Sequence, residues 1–156
     1  MLEGIKKLHF VGIGGVGMSA IAEVMLDKGY EISGSDLSES AVVKHLKAKG
    51  ATIYKGHDAL NVEGKEALVL SSAIHQDNPE LVAAKAKGLK LFHRSDILAY
   101  LLNDAKGIAV AGAHGKTTTS SMISVVLEHA KVDPTILIGG FVDYLKGNAK
   151  LGKSDY

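Results

Sequence analysis

The sequence predicts an α/β protein: a Rossmann-like doubly wound parallel sheet, followed by the beginning of a P-loop-type α/β domain. Three observations carry this. Short apolar runs alternate with stretches whose apolar residues recur at helical spacing, the pattern of strand–helix–strand units. The first run, residues 8–13, leads into Gly12-Ile13-Gly14-Gly15-Val16-Gly17 at a helix start. A later run, residues 108–111, leads into Gly112-Ala113-His114-Gly115-Lys116-Thr117-Thr118-Thr119, also at a helix start.

Taken in order, residues 8–13 read as a buried strand. Residues 18–28 read as a helix, with Ile21, Val24 and Met25 on one side and Gly29 as its stop. Residues 31–36 form a second strand that ends in an acid. Strand, glycine fingerprint, helix, strand and acid make the first half of a dinucleotide-binding unit. Gly12, Gly14, Gly15 and Gly17 permit a tight turn and the close approach of a diphosphate to the helix start. Asp36 lies 24 positions after Gly12. It can accept hydrogen bonds from a ribose or cap the next helix, a task Ser38 could take instead.

The helix over 39–49 turns Val42, Val43 and Leu46 inward and its lysines to solvent. Residues 51–54 make a third strand, and Gly56-His57-Asp58 a loop. His57 reads equally as a capping or surface histidine and as a ligand contact. Residues 67–70 are a fourth buried strand, followed by Ser71 and Ser72. In an open parallel sheet ligands sit beyond the carboxyl ends of the strands, so both serines share the crevice of residues 12–17. Pro79 suits the first turn of a helix to about residue 87. Residues 89–92 are a fifth strand, and Arg94 opens a helix to about residue 102. Arg94 is a surface arginine or a ligand contact.

Residues 103–107 are polar and mark a boundary, giving expected domains of 1–103 and 107–156. The second begins with the strand at 108–111. The usual phosphate loop, G-x-x-x-x-G-K-[ST], would need glycine at 110, where this chain has Val110. What remains is G-x-x-G-K-T-T-T. Backbone amides of Gly112, Ala113, His114, Gly115 and Lys116 can cradle phosphate at the positive end of the helix. Gly115 allows the turn. Lys116 would reach the terminal phosphates, and the Thr117 hydroxyl would hold Mg2+; Thr118 completes the set. The helix continues with Met122, Ile123, Val126 and Leu127 and ends near His129. A strand at 135–138 precedes Gly139 and Gly140.

Composition sets bounds. A chain of 156 residues, 46% hydrophobic and 22% charged, holds one sizeable domain, or one plus part of another. A net charge of +1 gives no broad electrostatic case for nucleic acid or an anionic membrane. The absence of cysteine excludes disulfides and thiolate metal sites and is compatible with the cytoplasm. The first seven residues lack the continuous apolar core of a signal peptide, and no apolar run approaches the ~20 residues of a membrane span.

Several of these stretches together resemble the Mur ligase family, which joins amino acids to cell-wall precursors at the expense of ATP. They are Ser71-Ser72-Ala73-Ile74, Asp77-Asn78-Pro79, Ala111-Gly112-Ala113-His114-Gly115-Lys116-Thr117-Thr118-Thr119, Asp133-Pro134-Thr135 and Ile138-Gly139-Gly140. The family usually has threonine where Ala113 stands, which removes one hydroxyl and leaves the backbone donors. The resemblance implies UDP-N-acetylmuramate and L-alanine as substrates, ATP and Mg2+ as cofactors, and a cytoplasmic place in peptidoglycan precursor synthesis. It implies catalytic Lys116, nucleotide contacts from residues 112–118, a metal ligand in Thr117, and a UDP-sugar pocket at Gly12, Gly14, Gly15, Gly17, Asp36, Ser71, Ser72 and Arg94. A family member that takes a muramyl tripeptide is the second reading. A nicotinamide-dependent oxidoreductase would explain the first glycine loop and not the second.

The family's full chain is roughly three domains of about 100–200 residues each. This chain is therefore expected to cover the first domain and the opening of the second, and to lack ligase activity alone. Ile108, Val110, Ile136 and Ile138 are expected to leave an apolar, unpaired sheet edge that invites a second copy as a homodimer.

Overall fold

The computed structural model describes residues 1–156. Five parallel strands form one sheet: β1 (Lys7–Val11), β2 (Glu31–Asp36), β3 (Thr52–Lys55), β4 (Ala67–Leu70) and β5 (Lys90–His93), in the order β3-β2-β1-β4-β5. The intervening helices are α1 (Val16–Asp27), α2 (Ala41–Ala48) and α3 (Pro79–Ala86), with α4 (Arg94–Asn103) after the last strand. The order reverses between β1 and β4, and a crevice opens there beyond the carboxyl ends of the strands. The expected doubly wound parallel sheet is present, with all five strands close to their expected positions.

The two faces of the sheet bury different chemistry. Leu8, Phe10, Ile32, Ala67, Val69 and Phe92 point into the larger core with α1 and α4. Val11, Leu68 and Leu70 point to the other face, where Leu81 and Ala84 of α3 cover them. Beside that smaller apolar cluster lie His9, Ser33 and Ser35, all buried.

Local signals explain the helix starts. The Asn78 side chain accepts from the amides of Glu80 and Leu81, and Pro79 takes the first helical position. Helix α2 begins two residues later than expected and is capped by Ser40, whose hydroxyl accepts from the Val43 amide. Neither Asp36 nor Ser38 caps it, because the Asp36 carboxylate is engaged by Ser38 and by the first glycine loop.

After Gly107 the structure departs from expectation. Residues 108–111 form no strand, since no neighbouring strand is there to pair with, and Ile108 is 52% exposed. Helix α5 (Lys116–His129) is followed by β6 (Ile136–Val142) and β7 (Gly147–Lys150), which pair antiparallel. The second strand of this hairpin was not anticipated. Ile136 and Ile138 are not an exposed edge: they are buried with Val142 against Leu145. The open apolar surface lies on α5, where Met122 is 65% and Val126 66% exposed.

The hairpin packs on α1, placing Ala149 in the larger core with Leu137 and Leu151 against it. The Asn148 side-chain amide donates to the Val16 carbonyl at 2.7 Å. Helix α1 is thus covered by the sheet on one side and the hairpin on the other, so seven of its twelve residues are buried. No helix is long and apolar enough to cross a membrane.

Candidate functional site

The first glycine loop is held by the end of β2. Amides of Gly12 and Ile13 both donate to the Ser35 carbonyl, and the Gly14 amide donates to Asp36 Oδ2 at 2.8 Å. The Gly15 amide closes a turn on the Gly12 carbonyl, for which Gly12 adopts φ 76°. The amides of Val16 and Gly17 at the start of α1 are left without an acceptor, and such a pair at the positive end of a helix suits an anion.

Each glycine has a concrete neighbour. A Cβ at Gly14 would lie 2.7 Å from Asp36 Oδ2 and 3.1 Å from Val43 Cγ2. A Cβ at Gly17 would lie 2.6 Å from Nη1 of Arg94. Arg94, the first residue of α4, therefore lays its guanidinium against the start of α1. Ile74 packs against Gly12, within 3.6 Å of the place of a Cβ, and so draws the turn containing Ser71 and Ser72 to the same crevice. The structure brings Gly12, Gly14, Gly15, Gly17, Asp36, Ser71, Ser72 and Arg94 to one end of the sheet. Gly17→Ala should leave stability little changed, because the guanidinium can swing away, yet weaken binding of a diphosphate ligand about tenfold by removing a charged donor. Calorimetric titration with UDP checks this; unchanged affinity would remove Arg94 from the site.

Behind the crevice lies a polar network that the sequence reading missed. Glu80 of α3 is fully buried, and its carboxylate receives four side chains. His9 Nε2 and Asn61 Nδ2 approach Oε1 at 3.2 and 2.7 Å, while Ser35 Oγ and His57 Nδ1 approach Oε2 at 2.6 and 2.8 Å. His9 Nδ1 meets Ser33 Oγ at 2.9 Å, and the His9 and Tyr54 rings lie 6.1 Å apart. Burial works to raise the pKa of Glu80, and the hydrogen bonds from His9, Ser35, Asn61 and His57 outweigh it, bringing it to about 2. The available signal was the polar side chains at 9, 33 and 35 sharing one face of two central strands.

The second loop sits at the start of α5, on the other side of α1 from the sheet. Gly115 has φ 75° and precedes Lys116, the first helical residue. None of the amides of residues 112–118 has an acceptor. Lys116 Nζ folds back onto the Gly112 and Ala113 carbonyls, the latter at 3.1 Å. The Thr117 side chain lies beside Gly140 of β6, where a Cβ would be 3.2 Å from Thr117 Cγ2. His114 is exposed and lies on the loop without a partner.

A doubly wound sheet whose first glycine loop leaves two helix-start amides free, joined to a second loop of unpaired amides and a lysine, defines an α/β protein with two candidate anion seats. The chain belongs to the Mur ligase family: residues 7–106 match the family model described as Mur ligase family, catalytic domain. Among curated proteins it is 56% identical over 153 residues to a UDP-N-acetylmuramate–L-alanine ligase of Hydrogenobaculum, covering 98% of this chain and 34% of that protein. The crystal structure of a UDP-N-acetylmuramate–alanine ligase from Thermotoga maritima superposes with a TM-score of 0.89 at 35% identity, over 96% of this chain and 35% of that one. A ligase of Neisseria meningitidis that joins UDP-N-acetylmuramate to an L-alanyl-γ-D-glutamyl-meso-diaminopimelate peptide gives 0.88 at 31% identity, over 97% and 49% of the two chains. The chain spans about a third of the length of the curated relatives it matches.

Proposed function

We propose that this chain is the UDP-sugar-binding part, with the opening of the ATP-binding part, of a cytoplasmic enzyme that joins L-alanine to UDP-N-acetylmuramate in peptidoglycan precursor synthesis. The observation that carries the reading is the pair of unpaired amide clusters, one at Val16 and Gly17 under Arg94, the other at residues 112–118. One nucleotide accounts for one cluster; a UDP-sugar and ATP account for both. The first would occupy residues 1–103, with its diphosphate at the start of α1 and its ribose near Asp36. The second would begin at 107. The curated relatives at 50–56% identity are alanine-adding, which favours the single amino acid; among solved structures the difference is small, 35% against 31%.

In the proposed reaction the γ-phosphoryl group of ATP passes to the carboxylate of the muramyl sugar, and the amine of L-alanine then displaces phosphate. This chain's part is to spread the charge of the transferring group over the amides of residues 112–118 and Lys116. Lys116 must leave the loop carbonyls to do so. Thr117 would offer one hydroxyl to Mg2+, which neutralises charge between the phosphates when bound. The remaining metal ligands and the amino-acid pocket would lie outside these residues, so the isolated chain should have no ligase activity.

UDP-N-acetylmuramate should raise the melting temperature of the chain and NAD should not, because a ligand of the native state stabilises by mass action, about 2.7 kcal/mol at a hundredfold excess over Kd. Lys116→Ala should leave that shift unchanged. Equal stabilisation by NAD would overturn the reading.

A further inference from the structure

The donors around Glu80 determine the proton position on His57. A carboxylate only accepts, so the contact of His57 Nδ1 with Oε2 at 2.8 Å requires a proton on Nδ1. Ser35 gives its own proton to the same oxygen at 2.6 Å, leaving a lone pair towards that Nδ1–H at 2.9 Å. A neutral ring with its proton on Nδ1 has a bare Nε2. Free histidine in water prefers the opposite tautomer, so the buried carboxylate imposes this one.

Nε2 of His57 has no partner in the chain, and no buried side-chain nitrogen or oxygen is left unpartnered, so this atom faces solvent. The side chain is 19% exposed and lies just past the end of β3. Its loop is fastened at several points. The Gly56 amide donates to the Asp36 carbonyl at 2.8 Å, and Asn61 bridges the Gly56 carbonyl and Glu80. The ring is therefore set before any ligand arrives, and orientation by a buried carboxylate is an established way to fix an imidazole.

We propose that Glu80 is a positioning residue for the crevice: it holds His57 as the Nδ1–H tautomer, so that Nε2 stands at the end of β3 as an acceptor for a ligand N–H or O–H. The proposal rests on the reading of the crevice as a ligand site. The same carboxylate, through Ser35, also steadies the strand end whose carbonyl holds the glycine loop. Position 80 thus acts on the ligand through two neighbours and touches none of it.

Long-range proton–nitrogen NMR of the 156-residue chain tests this without a ligand. His57 should show a protonated Nδ1 and a bare Nε2; a protonated Nε2 with bare Nδ1 would overturn the proposal. On titration with UDP, the Nε2 resonance should move towards the protonated range while Nδ1–H is kept. Shifts elsewhere in the crevice with Nε2 unmoved would overturn the ligand half. Absence of UDP shifts anywhere would overturn the reading of the crevice and that half with it, while the tautomer would stand on its own measurement. In Glu80→Met, if circular dichroism shows it folded, His57 should revert to the Nε2–H form and UDP affinity should fall about tenfold. Retention of Nδ1–H in that folded variant would show that the carboxylate does not set the tautomer.

Discussion

Glu80→Ala should lower the folding stability of this chain by about 3–5 kcal/mol, the range for breaking a buried charged network by removing one partner. The cost comes less from the missing contacts than from what is stranded. His9 and Ser35 stay buried, and with Asn61 and His57 they lose the acceptor that satisfies four donors. A domain of this size is stable by about 5–15 kcal/mol, so a large part would go. Urea denaturation measures it, and a loss below about 1 kcal/mol would mean that water replaces the carboxylate at no cost. Acid should act in the same direction. The carboxylate's pKa is lowered from 4.5 to about 2 in the folded chain. Its contribution is therefore fully present above pH 4.5 and is lost as pH falls from there towards 2. The alanine variant should lack this component of the acid transition.

The second large effect is on binding. Gly14→Val should weaken UDP-N-acetylmuramate at least about a hundredfold, or roughly 2.7 kcal/mol. The valine must displace the Asp36 carboxylate, which lies 2.7 Å from the place of its Cβ. The Gly14 amide then loses its acceptor, and the loop that presents Val16 and Gly17 loses one of its ties to β2, keeping those of Gly12 and Ile13 to the Ser35 carbonyl. Two parts of the proposed pocket move together. Calorimetric titration against Lys116→Ala, which should bind normally, separates this from general damage. Near-native affinity in Gly14→Val would place the UDP-sugar elsewhere.

Much of this was readable in the sequence because one physical rule governs each element. Residues 67–70 are apolar throughout and become a strand buried on both faces. Asn78-Pro79 marks a helix start wherever it occurs in such a pattern. The glycines at 12, 14, 15 and 17 were readable as a turn, although the room they leave at 14 and 17 is taken by Asp36 and Arg94. The strand expected at 108–111 failed because apolarity gives a chain something to bury without supplying a neighbour to pair with. Strand β7 escaped notice because Gly147-Asn148-Ala149-Lys150 has no strand preference. It is held by the pairing with β6 and by Asn148 on α1. The Glu80 network was hidden because Ser33, Ser35 and His9 look like the solvent side of alternating strands. Only the fold, by laying α3 across them, shows that they are inside.

The seat of the hairpin on α1 has a kinematic consequence. Two bodies joined by a single chain crossing can swivel in any direction. These two are joined at the crossing near Gly107, where the Lys106 amide also donates to the Asp155 carbonyl, and again along α1, where Ala149 enters the larger core and Asn148 grips the Val16 carbonyl. A close-packed apolar seat of that kind resists swivelling in every direction. It begins at the first turn of α1, the turn that carries the unpaired amides of Val16 and Gly17. Any displacement of the hairpin would therefore be felt at the place proposed for the diphosphate.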